Sequence, residues 1–254
     1  MAEGAVLRVE RLSVRFGEFW ALREVSVEVR PKELTALIGP NGAGKTTFYN
    51  AVTGRYKPCS GRVVFKGTDI TGLPPHAVSR LGLSRSFQIT NIFLENTVEE
   101  NILAALVSKH RKGLSMLKPL GFYRELLEEA HGILEMLGIA HRAKEEARFL
   151  AYGDKRLVEI GIALATDPDM ILLDEPTAGM TPEETERMVQ MIQRLDAETP
   201  VTFFLTEHDM KVVFSMARRI LVLHQGEVLA VGTPEEISAD PRVREAYLGG
   251  SLDA

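Results

Sequence analysis

Residues 39–47 read GPNGAGKTT and contain the chemistry of a phosphate-binding loop. They match the pattern G-x-x-x-x-G-K-[ST], in which glycines let the backbone curl so that several N–H groups point at phosphate oxygens. A helix beginning at Lys45 would add its positive dipole end. The Lys45 ammonium is expected to reach the β- and γ-phosphates, and the Thr46 hydroxyl to ligate Mg²⁺. The residues expected to hold the nucleotide here are Gly39, Pro40, Asn41, Gly42, Ala43, Gly44, Lys45, Thr46 and Thr47.

A second reactive pair ends the run MILLDE at residues 170–175. Four apolar residues predict a central strand, and the carboxyl ends of such strands are where α/β sheets bind ligands. Asp174 is expected to hold Mg²⁺, directly or through its water shell, and Glu175 to polarise the attacking water as general base. Acidic pairs are also common at solvated strand ends, so this motif is informative mainly because a phosphate loop precedes it.

The elements that must position these groups alternate between strand and helix patterns. A continuously apolar strand, 33–38, runs into the phosphate loop, and a helix over 45–53 follows it. The sequence predicts an α/β phosphate-loop NTPase core with a mainly parallel sheet, an N-terminal antiparallel β subdomain and an inserted α-helical subdomain at about 88–150. The other predicted strands are 5–10, 12–16, 24–30, 61–66, 169–173, 201–205 and 219–223, and the other predicted helices are 123–137, 154–166, 181–197 and 209–217.

The inserted region has its own local signals. Thr97 followed by Glu100 is a capping-box pattern that opens an apolar-periodic helix. A basic stretch with glycine and proline, 108–121, indicates an exposed loop, although its charge would also suit phospholipid headgroups.

Bulk composition limits the function classes. The 254 residues carry a net charge of −5, with 45% hydrophobic and 26% charged residues, which argues against a broad nucleic-acid footprint. The one cysteine, Cys59, cannot form a disulfide framework within the chain, and this favours a reducing, cytosolic setting. No apolar run approaches the roughly 18 residues of a spanning helix. We therefore expect any membrane role to come through a partner.

Residues 150–156, LAYGDKR, lie just before MILLDE and open a helical stretch. They resemble LSGGQ, the signature of the ABC (ATP-binding cassette) ATPase family, which separates that family from other phosphate-loop enzymes. Three further residues agree with the family in order along the chain: Phe16, Gln88 in RSFQ, and His208 in TEHD. The resemblance covers about residues 5–249.

The resemblance implies a role for each of these positions. Phe16 would stack on adenine, although packing at a sheet edge is its ordinary alternative. Gln88 would ligate Mg²⁺ and report nucleotide state to the helical region. His208 would hydrogen-bond the γ-phosphate and orient Glu175. In the family the signature faces the nucleotide of the opposite subunit, so a head-to-tail dimer with two composite ATP sites is implied, in which phosphate contacts come from Ala151, Tyr152, Gly153 and Asp154.

Two positions depart from the family pattern. Ala151 replaces the usual signature serine, so one hydroxyl contact to the γ-phosphate is missing. Met180 and Thr181 stand near the place where many members have a D-loop aspartate. Because Lys45, Glu175 and His208 are all present, we still expect ATPase activity.

Within the family, the chain resembles the subgroup that serves branched-chain amino-acid importers. The stretches that carry this are LGLSRSFQITNIFLENTVEENIL, the LAYGDKR signature and the ending EEISADPRVREAYLGG. The subgroup implies membrane-spanning permease subunits, a solute-binding protein in the complete system, and a peripheral place on the cytoplasmic face of the cell membrane. Residues 89–101, with Ile89, Ile92, Phe93 and Leu94, would line the groove for a permease helix or, alternatively, pack internally.

Other functions stay open at this point. Urea or amide importers and the ATPase of lipopolysaccharide export are similar enough to be alternatives. A soluble ABC protein of DNA maintenance or translation would need a long coiled coil or a second cassette, and the sequence has neither. A nucleotide sensor without catalysis is disfavoured by the intact Glu175 and His208.

Overall fold

The computed structural model describes residues 4–85, 92–110 and 121–248, and the chain divides into two compact units. The first unit comprises residues 1–85, 169–176 and 196–254, and the second comprises 86–168 and 177–195. The sequence-based division instead counts all of 151–254 with the ATP-binding core. As an account of functional domains it stays a prediction.

Ten strands and nine helices are formed by the described residues, together with short 3₁₀ turns at Ala140–Arg142 and Ala147–Phe149. The strands are β1 (Leu7–Phe16), β2 (Phe19–Val29), β3 (Thr35–Ile38), β4 (Ser60–Phe65), β5 (Thr68–Asp69), β6 (Leu83–Arg85), β7 (Met170–Asp174), β8 (Thr202–Thr206), β9 (Arg219–His224) and β10 (Glu227–Gly232). The helices are α1 (Lys45–Val52), α2 (Pro75–Arg80), α3 (Val98–Lys109), α4 (Gly121–Met136), α5 (Tyr152–Leu164), α6 (Pro182–Glu198), α7 (Met210–Met216), α8 (Pro234–Ala239) and α9 (Pro241–Leu248).

The first unit contains a six-stranded sheet in the order β10-β9-β3-β8-β7-β6. All neighbouring strands pair in parallel except β10, which is antiparallel to β9. Every residue of β3, β7 and β8 is buried, as expected for apolar strands covered on both faces. The predicted mainly parallel sheet is confirmed, and it brings the carboxyl ends of β3, β7 and β8 to one edge.

A second, antiparallel sheet of the same unit has the order β2-β1-β4-β5. The prediction of two separate strands at 5–10 and 12–16 was wrong, because β1 runs unbroken from Leu7 to Phe16. Its register with β2 shifts between Val9 and Leu12, where Arg11 has a φ of 45° and donates its N–H to the Ser26 hydroxyl. This is a local bulge, which interrupts the alternation of the sequence without ending the strand.

One hydrophobic cluster joins side chains of both sheets with those of α1. Phe48 and Tyr49 of α1 are fully buried and pack against Phe204 of β8 in edge-to-face and tilted contacts, with ring centroids 6.0 and 5.5 Å away. These contacts fix α1 against the parallel sheet, and α1 begins at Lys45. The phosphate-loop segment therefore ends on a helix that the core holds in place.

Helices α3, α4 and α5 form the centre of the second unit. Thr97 and Glu100 make the predicted capping box, since each backbone N–H donates to the other residue's side-chain oxygen, over 2.8 and 3.2 Å. Gly161 of α5 lies so close to its neighbours that an added Cβ would stand 2.7 Å from Ile102 of α3 and 2.8 Å from Leu137, the residue after α4. Most of the predicted loop at 108–121 lies outside the described residues, and α3 extends to Lys109.

Within the described ranges, no helix combines the length and apolar character needed to cross a bilayer.

Candidate functional site

The segment between β3 and α1 can form only with glycine at certain positions. A Cβ at Gly39 would stand 2.2 Å from the carbonyl oxygen of Leu223 in β9. Gly44 has a φ of 107°, and a Cβ there would stand 2.6 Å from the carbonyl oxygen of Ala21 in β2. The loop is therefore pressed against two strands and turned by left-handed backbone that other residues rarely adopt. This geometry gives the curled backbone that the GPNGAGKTT pattern predicts.

Lys45 lies inside this loop. Its ammonium donates to the carbonyl oxygens of Gly39 at 2.6 Å and Pro40 at 3.2 Å. Burial lowers the pKa of Lys45 below its usual range, and the charges of Glu175 and Asp174 oppose part of that shift. A buried ammonium held by neutral carbonyls is placed to exchange them for phosphate oxygens.

The acidic pair lies at the end of β7, as predicted. Asp174 is 3% exposed; its Oδ1 accepts a 2.8 Å hydrogen bond from the Thr206 hydroxyl, and its Oδ2 accepts a 2.6 Å ion-pair contact from Arg85. Glu175 has a φ of 49°, a strained backbone for a residue with a side chain. Its N–H donates to the Thr206 carbonyl at 3.1 Å. This hydrogen bond joins the turn after β7 to β8. The carboxylate of Asp174 is buried beside Arg85 and Thr206, whereas that of Glu175 is more exposed.

His208, two residues beyond the end of β8, meets Glu175. The distance between His208 Nε2 and Glu175 Oε1 is 2.6 Å, and the histidine is about half exposed. The structure thus brings together two residues that are 33 positions apart in sequence. A carboxylate hydrogen-bonded to an imidazole has the geometry of a base whose orientation is set by a neighbour.

The donor set at this edge fits a magnesium ion that arrives with a nucleotide. Thr46 is exposed at the start of α1, and Asp174 supplies a carboxylate. In the described part of the chain, no group of three or more His, Cys, Asp and Glu side chains could enclose a metal. Mg²⁺ is typically bound by one or two protein ligands together with substrate phosphates and waters, so a sparse set of this kind suits it.

Two further residues, Phe16 and Gln88, were predicted to contact the nucleotide or its metal, and the structure describes only Phe16. Phe16 ends β1 with 47% of its surface exposed and an edge-to-face contact with Tyr56 at 5.3 Å. Part of its ring is therefore open to solvent, as stacking on a base requires. Gln88 and Ile89 lie outside the described residues.

The signature segment belongs to the second unit and opens α5. Ala151 is the residue before the helix, and Tyr152, Gly153 and Asp154 form its first turn. The carboxylate of Glu184 lies beside Gly153, where an added Cβ would stand 3.3 Å from its Oε1, and it accepts from the Thr181 N–H at 3.0 Å. Backbone donation from Thr181, supported by Gly153, holds the pKa of Glu184 below its usual range. A carboxylate of the chain itself therefore lies next to the N-terminus of α5, the end of a helix that favours negative charge.

Sequence reasoning missed both contacts of Asp174, the Thr206 hydroxyl and the charged Arg85. Arg85 is the more informative of the two. It ends the short strand β6, whose three residues Leu83–Arg85 pair in parallel with β7. The signal available in the sequence was a basic residue three positions before Gln88. It gave no indication of the partner, because the pairing joins segments 89 residues apart.

Comparison with known proteins finds sequence similarity over nearly the whole chain. The sequence profile described as "ABC transporter" matches residues 22–178, and one described as "Branched-chain amino acid ATP-binding cassette transporter" matches residues 227–253. The chain is 43% identical over 249 residues to the high-affinity branched-chain amino acid transport ATP-binding protein LivG of Escherichia coli, covering 96% of this chain and 98% of that protein.

Solved structures are similar over nearly the whole chain. A nucleotide-free ATP-binding cassette from an ABC transporter superposes with a TM-score of 0.84 at 35% identity, covering 97% of this chain and all of the other. A dimeric ATP-binding cassette in a post-hydrolysis state, bound to ADP and phosphate, superposes with a TM-score of 0.75 at 25% identity, covering 90% of this chain and 98% of that one.

Proposed function

This chain belongs to the ABC transporter family of ATP-binding cassettes, and from that premise we propose that it powers the import of branched-chain amino acids through membrane-spanning partner subunits. Its ATPase activity follows from the family. The observation that carries the cargo assignment is the 43% identity to a branched-chain amino acid transport ATP-binding protein over almost the full length of both chains. The separate match of residues 227–253 to a profile of the same transporter class supports it.

Hydrolysis is assigned to Lys45, Glu175 and His208. The Lys45 ammonium holds the β- and γ-phosphates of ATP in place of the loop carbonyls that it now contacts. Glu175 takes a proton from the attacking water, whose oxygen bonds to the γ-phosphorus while the bond to the leaving ADP oxygen breaks. His208, 2.6 Å from Glu175, fixes the orientation of that carboxylate.

Magnesium and adenine are assigned to groups around this centre. Thr46, Asp174 and Gln88 would hold Mg²⁺, which neutralises charge on the phosphates when it is bound. Phe16 would stack on the adenine through its exposed ring face. The signature residues 151–154 would complete the nucleotide site of a second cassette, of the same or a related chain, in a head-to-tail dimer. The solved dimeric cassette with ADP and phosphate supports such an assembly.

Docking to the permeases is assigned to exposed apolar residues of the second unit. Phe93 is 61% and Phe149 is 68% exposed, and Leu94 beside them is also exposed, whereas Ile92 is buried. The Arg148 N–H donates to the Leu94 carbonyl at 2.9 Å, which brings the segment before α3 next to the one before α5. Clustered exposed aromatics suit a partner's helix. With such a partner in the membrane, the chain would be a peripheral subunit on the cytoplasmic face.

Co-purification tests the partner assignment. Tagged Glu175→Gln, isolated from native membranes with ATP to retain the dimer, should bring down two hydrophobic permeases and a second cassette subunit. Recovery of no membrane protein would refute the transporter role while leaving the ATP chemistry intact.

Uptake of labelled substrates tests the cargo. Cells whose native copy is replaced by Glu175→Gln should lose uptake of labelled leucine and keep uptake of labelled urea. A loss confined to urea, or an outer-membrane defect with normal leucine uptake, would favour the urea or lipopolysaccharide alternatives.

A further inference from the structure

One of the proposed magnesium ligands, Asp174, is part of a buried ion pair. The guanidinium of Arg85 contacts Asp174 Oδ2 at 2.6 Å, and the two side chains are only 10% and 3% exposed. The other carboxylate oxygen, Oδ1, accepts from the Thr206 hydroxyl at 2.8 Å. Both oxygens of Asp174 are therefore already engaged by the protein itself, and one of them is engaged by a full positive charge.

Arg85 is fixed in this position from two further sides. Its second terminal nitrogen donates to the Asn50 side-chain oxygen at 2.6 Å, and its charge lies 5.5 Å from the centre of the Tyr49 ring. Both residues belong to α1, the helix that follows the phosphate loop. The Nε of Arg85 is buried and finds no hydrogen-bond partner within the described residues. The guanidinium is thus held by α1 on one side and by β7 on the other.

A carboxylate buried this deeply needs a counter-charge. Arg85 supplies it. A divalent cation that came alone from solution would have to compete with the guanidinium for Asp174, while gaining few other protein ligands. A cation that came with a nucleotide would bring phosphate oxygens as most of its ligands. It would need from Asp174 only a water-mediated contact or a remaining lone pair.

We propose that Arg85 is the resident counter-cation of Asp174, so that this carboxylate accepts a divalent cation together with nucleotide and rejects one that arrives alone. Arg85 is then a specificity-determining residue for the order of ligand binding. This proposal rests on the assignment of Asp174 to the metal under the proposed function.

The test measures binding of Mn²⁺ without nucleotide, by the electron paramagnetic resonance signal of the free ion. Without nucleotide, Arg85→Met should bind one Mn²⁺ per chain with an affinity at least tenfold higher than that of the natural chain. Asp174→Asn in the Arg85→Met background should abolish this increase. Arg62→Met is the matched control, because it removes an equal charge from an exposed pair with Asp69, at 60% and 45% exposure. It should leave Mn²⁺ binding unchanged.

An Mn²⁺ affinity of Arg85→Met equal to that of the natural chain would overturn the proposal. If Arg85→Met does not fold, Arg85→Lys replaces it, because a shorter point charge cannot span Asn50 and Asp174 together. Its nucleotide-free Mn²⁺ affinity should rise about threefold, and an unchanged affinity would equally overturn the proposal.

A separate measurement distinguishes failure of the metal role of Asp174 from failure of the counter-cation role of Arg85. With ATP present, Asp174→Asn should bind Mn²⁺ more weakly than the natural chain. If it does not, the metal role of Asp174 fails and the present proposal fails with it. If it does, while Arg85→Met shows no gain without nucleotide, only the counter-cation role of Arg85 is refuted.

Discussion

The phosphate loop and the signature segment both present backbone N–H groups at the start of a helix, but they are built differently. At the phosphate loop, Gly44 takes a φ of 107° and Lys45 adds a buried ammonium. At the signature, Ala151 contributes no hydroxyl, and the backbone at Gly153 lies beside the carboxylate of Glu184. The first element can hold a phosphate with its own side chain and backbone. The second offers backbone N–H groups without a cationic side chain, next to a carboxylate of the chain itself.

The largest effect should come from removing the charge that only the phosphate loop has. Lys45→Met should lower kcat/KM for ATP about 1,000-fold, or roughly 4 kcal/mol, because the phosphates lose their buried cationic partner. Steady-state ATPase assays measure this, and Lys57→Met, which changes an exposed lysine after α1, is the control. Equal activity of the two variants would contradict the distinction drawn between the two segments.

Glycine should also matter unequally in the two segments. Gly44→Ala should reduce the free energy of unfolding by about 2 kcal/mol, because its Cβ meets the Ala21 carbonyl and its φ is left-handed. Gly153→Ala should change stability by less than about 1 kcal/mol, since its Cβ stands 3.3 Å from the movable end of Glu184. Chemical denaturation of both variants checks this, and a reversed order would contradict it.

A hydroxyl at position 151 should give α5 the side-chain cap that Ala151 cannot provide. Ala151→Ser should stabilise the chain by about 1 kcal/mol and raise the ATPase rate of the dimer severalfold. The matched comparison is Thr97→Ala, which removes the observed cap of α3 and should cost about the same amount. Thermal unfolding and ATPase assays measure both effects. A gain in stability without any gain in rate would show that the serine contact is unnecessary here.

The smallest expected effect is on the pH dependence of stability, and it comes from Tyr49 of α1. Burial, reinforced by the charge of Asp174, raises the pKa of Tyr49 well above its usual range. The folded chain keeps this proton while the unfolded chain releases it above about pH 10, so the free energy of unfolding falls as pH rises past that value.

Tyr49→Phe removes that part of the pH dependence. Between about pH 9 and 11, its stability should fall less steeply than that of the natural chain. At neutral pH it should be about 1 kcal/mol less stable, because its hydrogen bond to the Phe204 carbonyl is lost. Denaturation across this pH range compares the slopes, and identical slopes would refute the assigned cause.

Local patterns predicted the phosphate loop, the strand before Asp174 and the capping box of α3, because each depends on residues close together in sequence. The meeting of Glu175 with His208 was expected only through the family resemblance, and the structure confirms the contact. The unbroken strand through Arg11 was missed because a bulge breaks the alternation of side chains that identifies a strand.

Partners that are distant in sequence account for the other omissions. Arg85 lies on a strand of three residues that has no periodicity to detect, and its role depends on a parallel neighbour far along the chain. The proximity of Glu184 to Gly153 was also missed, because it depends on how α5 and the start of α6 pack.

The central claim, that this carboxylate edge hydrolyses ATP, is tested most directly by Glu175→Gln in the purified chain. The amide keeps the shape of the side chain and removes its basicity. We predict that kcat falls at least about 100-fold, or roughly 2.7 kcal/mol, while ATP binding measured by equilibrium dialysis is retained. A kcat equal to that of the natural chain would contradict the assignment of Glu175 as the general base.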